Sequence, residues 1–105
     1  MIKVIEQKLS RDVTINIGKV RPFKNRCKVT GETENCNVNI SYVPDQKLLE
    51  MDSLRDYLSQ GFNEYIEDLA IKIYNDITLA CEPKSLEVKL FMDDESLTPL
   101  NVVVR

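Results

Sequence analysis

Residues 13–17, VTINI, alternate apolar and polar positions, and residues 38–42 repeat the pattern with Val38, Ile40 and Tyr42. A period of two marks a half-buried strand. Pro44 ends the second strand, because proline has no N–H to give to a ladder. The pattern then changes to a helical period. Leu54, Tyr57 and Leu58 lie on one helical face; Asp52 or Ser53 can cap this first helix, and Gly61 suits its stop. A second helix, which Asn63 can cap, carries Ile66, Leu69, Ala70, Ile73, Ile77 and Ala80 at helical spacing. Glu64, Glu67 and Asp68 crowd its first turns, where the helix dipole favours negative charge, and Pro83 closes the helical pair. Two more strands follow: Leu86, Val88, Leu90 and Met92 alternate with Glu87, Lys89 and Phe91, residues 93–96 turn the chain, and Leu100, Val102 and Val104 alternate again.

This order, ββααββ, predicts an α+β fold: an antiparallel four-stranded sheet with two helices on one face. The chain of 105 residues is the size of one domain, 1–105, without repeat or linker. Phe91 and Val103 fall on the uncovered face, which suggests contact with another subunit. No apolar run approaches the roughly 20 residues a membrane span needs. The N-terminus, MIKVIEQKLS, lacks the apolar stretch of a signal peptide.

Charge adds an asymmetry that the net −3 hides. Residues 1–28 hold eight cations (Lys3, Lys8, Arg11, Lys19, Arg21, Lys24, Arg26 and Lys28) against two acids, Glu6 and Asp12. Two readings stay open: a face for a polyanion, or an edge strand protected by its lysines. The cysteines Cys27, Cys36 and Cys81 are odd in number and form no CxxC, which points to a reducing cytoplasm and away from a disulfide framework. Histidine is absent, which removes Ser-His-Asp and Cys-His mechanisms and disfavours a transition-metal site.

Cys27 stands out within NRCKVTGETENC, residues 25–36, because Arg26 and Lys28 flank it. A thiolate is the reactive form of cysteine, and cations aimed at it would favour that form. The stretch from Cys27 to Val88 resembles the QueF-type nitrile reductases of queuosine biosynthesis, a branch of the tunnelling-fold superfamily. The matching residues are Cys27, Thr30, Gly31 and Glu34, then Tyr42 and Pro44, EMDSLRDY at 50–57, Ile66-Glu67, and EPKSLEV at 82–88. The resemblance implies that Cys27 adds to the nitrile carbon of 7-cyano-7-deazaguanine to give a thioimide. It implies that Glu34 protonates the nitrile nitrogen, and that Glu67 and Glu50 bind substrate. By itself Glu67 reads as readily as a helix-dipole residue. The resemblance also implies pentamer-based rings.

Four positions depart from the family pattern. Glu34 stands where the family has Asp, Ile66 where it has His, and Asp52 and Arg55 where it has the two lysines of its NADPH motif. A carboxylate at the first lysine position would repel the cofactor's phosphates. The chain is in this respect more similar to the short archaeal QueF-like amidinotransferases, which need no NADPH and let ammonia attack the thioimide on tRNA to form archaeosine. That resemblance gives the cations Lys19, Arg21, Lys24, Arg26 and Lys28 a role as tRNA contacts. The alternatives are an NADPH-dependent nitrile reductase and a non-catalytic module that binds a purine or tRNA.

Overall fold

A computed structural model describes residues 1–18, 22–92 and 100–105. The central strand is β4, and its alternation organises the molecule. Labels follow chain order: β1 is Val4–Glu6, β2 Ile15–Ile17, β3 Phe23–Arg26, β4 Thr33–Val43, β5 Lys47–Leu49, α1 Met51–Ser59, α2 Ile66–Cys81, β6 Ser85–Met92 and β7 Leu100–Val104. Cys36, Val38, Ile40 and Tyr42 point to one side of β4 and are buried. Its partner β6 runs antiparallel in a register that sets Val38 opposite Leu90, Ile40 opposite Val88 and Tyr42 opposite Leu86. The two strands therefore present one apolar face, and β7 extends it by placing Val102 beside Leu90 and Val104 beside Val88.

The two helices cover that face, as the α+β expectation had it. Leu69, Ala70, Ile73 and Ile77 of α2 are fully buried, with Leu54 and Leu58 of α1 beside them. The apolar side chains therefore form a single core between sheet and helices. No helix among the described residues is long and apolar enough to cross a membrane.

The sheet differs from the expected four strands. Its first position is filled by two short strands, β2 and β3, which pair with different parts of β4. β2 sets Ile15 opposite Tyr42, and β3 sets Phe23 opposite Cys36. Pro22 precedes β3; a proline cannot donate to a ladder, which suits an interruption there. A separate ribbon pairs β1 with β5. The Tyr42 hydroxyl oxygen accepts from the Leu49 N–H at 3.1 Å and ties this ribbon to the central strand. The expected turn at 93–96 lies outside the described residues.

The helix starts also differ from the sequence reading, whereas Gly61, at φ 82°, follows α1 as its expected stop. Glu50, not Asp52 or Ser53, caps α1: its carboxylate accepts from the N–H of Asp52 at 2.9 Å and of Ser53 at 2.7 Å. These bonds hold Glu50 below the usual carboxylate range, through Ser53 first and Asp52 second. Glutamate is not a preferred cap, but any carboxylate that reaches the orphan N–H groups satisfies them. Tyr65 rather than Asn63 precedes α2 and offers no side-chain cap. The acids in the first turn, Glu67 and Asp68, complement the dipole there.

Helix α2 ends on Glu82 at φ 48°, a left-handed backbone that a side chain disfavours. Its carboxylate makes a 3.4 Å ion pair with Lys47, but it is largely exposed, so the pair contributes little. Replacing Glu82 with glycine should therefore stabilise the fold by about 1 kcal/mol. Thermal melts of parent and Glu82→Gly measure this, and a lower melting temperature in the variant would contradict it.

Candidate active site

Cys27 follows β3 directly, at the start of a tight connection to β4. The Cys27 carbonyl accepts from the Gly31 N–H at 2.9 Å, and the Cys27 N–H donates to the Glu32 carbonyl at 2.9 Å. Gly31 has φ +74°, which a side chain would strain, so glycine is what the turn requires at this position. The turn folds its own backbone toward the sulfur. The N–H groups of Thr30 and then Val29, with the Thr30 hydroxyl, hold the Cys27 thiol below its ordinary value. Hydrogen bonds to the charged form favour it, and here they outweigh the opposing effects of burial and of the Glu34 charge.

The flanking cations do not perform this task, which corrects the sequence expectation. Arg26 turns back to donate from Nε to the Gly31 carbonyl at 3.2 Å and so braces the turn. Lys28 pairs with the Glu64 carboxylate at 3.4 Å and lies 5.8 Å from the centre of the Tyr65 ring. Neither cation contributes to the lowered thiol value.

Glu34 reaches the same place from β4. It is the register partner of Asn25, and β3 alternates, so Phe23 and Asn25 point inward while Lys24 and Arg26 face solvent. Asn25 is completely buried. Its Nδ2 donates to Glu34 Oε1 at 2.9 Å and to the Glu64 carbonyl at 2.9 Å, while its Oδ1 accepts from the Glu64 N–H at 3.1 Å. The segment before α2 is laced to β3 by backbone as well. Arg26 N–H donates to the Phe62 carbonyl at 2.7 Å, and Phe62 N–H to the Lys24 carbonyl at 3.1 Å. The Phe62 ring packs edge-on between Phe23 and Tyr57, 5.8 Å from each. The thiol turn, the Glu34 carboxylate and the approach to α2 thus form one unit.

The remaining candidates are more dispersed. Glu67 lies exposed in the first turn of α2, three residues beyond the Glu64 that Asn25 holds. Both Glu50 oxygens are engaged in capping α1. The exposed Lys24 donates to Asn35 Oδ1. Lys19 and Arg21 lie outside the described residues. At the positions where the resemblance expects the NADPH lysines, Asp52 and Arg55 pair with each other at 2.9 Å. Sequence reading missed Asn25 and Glu64. The period-two partnership of Asn25 with Phe23 was the available signal, but FKNR is too short and polar to read as a strand.

The other thiols contrast with Cys27. Burial, then the Glu34 charge, pushes Cys36 up to about 12. Cys81 is also raised by burial, and its Sγ lies 3.1 Å from the Lys47 carbonyl.

The arrangement of sheet and helices is a known one. It matches the crystal structure of the archaeosine synthase QueF-Like in the apo form with a TM-score of 0.73, over 92% of this chain and 94% of that one. At 16% identity the likeness establishes the fold. Residues 34–93 match the family described as QueF-like protein, and the chain belongs to that family. Its relatives include the NADPH-dependent 7-cyano-7-deazaguanine reductase of Chlorobaculum parvum, 36% identical over 83 residues, which are 76% of this chain and 70% of that protein. The protein of the same name from Elusimicrobium minutum is 34% identical over 89 residues, 83% of this chain and 67% of that one. That of Microcystis aeruginosa is 28% identical over 102 residues, 84% and 78% of the two chains.

The thiol environments predict selective chemistry. In the folded protein iodoacetamide should label Cys27 alone, with a pH midpoint below the roughly 8.5 of a free thiol. Peptide mapping after brief labelling across pH tests this. Equal labelling of Cys36, or a Cys27 midpoint above that of a free thiol, would contradict it.

Proposed function

We propose that the chain transforms the nitrile of 7-cyano-7-deazaguanine, with Cys27 as nucleophile and Glu34 as the proton carrier. The observation that carries this reading is the N–H-lined turn that lowers the Cys27 thiol beside a fixed carboxylate. In the first step the Sγ–carbon bond forms and one π bond of the nitrile breaks. The proton lost by the thiol passes through Glu34 to the nitrile nitrogen, leaving a thioimide. Glu67, on the adjoining first turn of α2, accepts the ring N–H and exocyclic amine of the base in a bidentate pair.

In the second step ammonia adds to the thioimide carbon, the sulfur–carbon bond breaks, and an amidine leaves as Cys27 regains its thiol. The Asp52–Arg55 pair supports this amidinotransferase reading. A segment whose cation is already matched by a carboxylate does not fit the phosphates of NADPH. The names of the relatives favour the other reading, an NADPH-dependent reductase. The substrate of the amidinotransferase is tRNA that carries the cyano base. The exposed Lys24 and Arg26 beside the site support this, together with the cationic bias of residues 1–28. The assembly is a ring of copies, which the exposed Val103 on the uncovered face supports.

Intact-mass measurement tests the chemistry. Incubation with 7-cyano-7-deazaguanine should add the mass of the base to the parent, to Cys36→Ala and to Cys81→Ala, but not to Cys27→Ala. Ammonium should discharge the adduct as the amidine. Discharge by NADPH to an amine would favour the reductase reading, and the absence of any adduct would leave only the binding module.

Salt dependence tests the substrate. Neutralising Lys19, Arg21 and Lys24 together should lower the log–log salt slope of tRNA binding by roughly 2 to 3, at about 0.7–0.9 per phosphate contact. An unchanged slope would contradict a tRNA-binding role for these cations.

A further inference from the structure

Asn25 is a buried polar side chain that the proposed chemistry does not itself use. Its amide offers two donor hydrogens and an acceptor oxygen. Nδ2 spends its donors on Glu34 Oε1 and on the Glu64 carbonyl, and Oδ1 accepts from the Glu64 N–H. The first bond runs across the strand pair at the register point where Asn25 and Glu34 face each other. The other two reach 39 residues along the chain to the approach of α2. One amide therefore joins the proton-carrying carboxylate to the segment that leads into Glu67.

We infer that Asn25 is a positioning residue that holds Glu34 in its productive orientation. This rests on the proposed role of Glu34. A glutamate has one more rotatable bond than an aspartate, so its carboxylate can swing over a wider arc. The Asn25 bond commits Oε1 and leaves the second oxygen to carry the proton from the Cys27 thiol to the nitrile nitrogen. A misplacement of about 1 Å at a reacting group can cost on the order of 100-fold in rate, which makes such a restraint consequential.

The test compares the parent with Asn25→Ser, Glu34→Gln and the double variant. Asn25→Ser should keep its affinity for the cyano base, measured by calorimetry, within about threefold, while adduct formation slows by about 10- to 100-fold. The double variant should react no more slowly than Glu34→Gln alone, because Asn25 acts through that carboxylate. Should the serine variant not fold, Asn25→Asp preserves the shape but removes the donor. Its rate relative to the parent should then recover as the pH falls and the new carboxyl gains a proton to donate. Multiplying losses in the double variant, or an unchanged adduct rate in Asn25→Ser, would overturn the inference. If the parent forms no adduct, the proposed activity fails, and the positioning claim is read from Cys27 alkylation. The Glu34 charge opposes the Cys27 thiolate, so Glu34→Gln should lower the alkylation midpoint. Asn25→Ser, by releasing that carboxylate to change its distance from the sulfur, should also shift the midpoint. An unmoved midpoint in Asn25→Ser overturns the claim, and a midpoint shifted in either direction supports it.

Discussion

The buried amide of Asn25 is the constraint on which the site depends. A polar side chain in the interior costs free energy unless its donors and acceptor are matched. Asn25 meets that condition only if β3, β4 and the approach to α2 come together in one arrangement. The Phe62 backbone bonds and the Phe23–Phe62–Tyr57 ring contacts reinforce the same closure. The demand for satisfied hydrogen bonds in the interior thus sets which residues border the thiol.

Reactivity at Cys27 follows from backbone rather than from side-chain charge. The Thr30-Gly31 turn points N–H groups at the sulfur, and the left-handed Gly31 lets the chain close. Arg26 and Lys28 act one step removed: one braces the turn, and the other ties it to Glu64. Cys36, on β4 but within the core, is pushed the opposite way by burial.

The longer elements were legible because their apolar periods are long enough to be unambiguous. The sides of β4 and β6 and the buried stripe of α2 were all readable from alternation. What stayed hidden was short or polar. VIE, FKNR and KLL carry too few residues to show a period, so β1, β3 and β5 were absent from the sequence reading. Glu50 was not recognised as a cap because glutamate seldom serves as one. Cys27, Glu34 and Glu67 were named through a family resemblance, but the direction of a side chain is a property of the fold. Arg26 and Lys28 were therefore credited with a charge effect that the turn supplies, and Asn25 was given no role.

The central claim is that β3 and the approach to α2 form a single closed unit around Cys27. Amide hydrogen exchange tests it most directly, since protection reports the free energy of local opening. The N–H groups of Arg26, Phe62 and Glu64, which donate to the Phe62 carbonyl, the Lys24 carbonyl and Asn25 Oδ1, should exchange as slowly as the amides of β4. Rapid exchange at Phe62 and Glu64 beside a protected β4 would contradict the account, because the site would then lie on a segment that opens independently of the sheet.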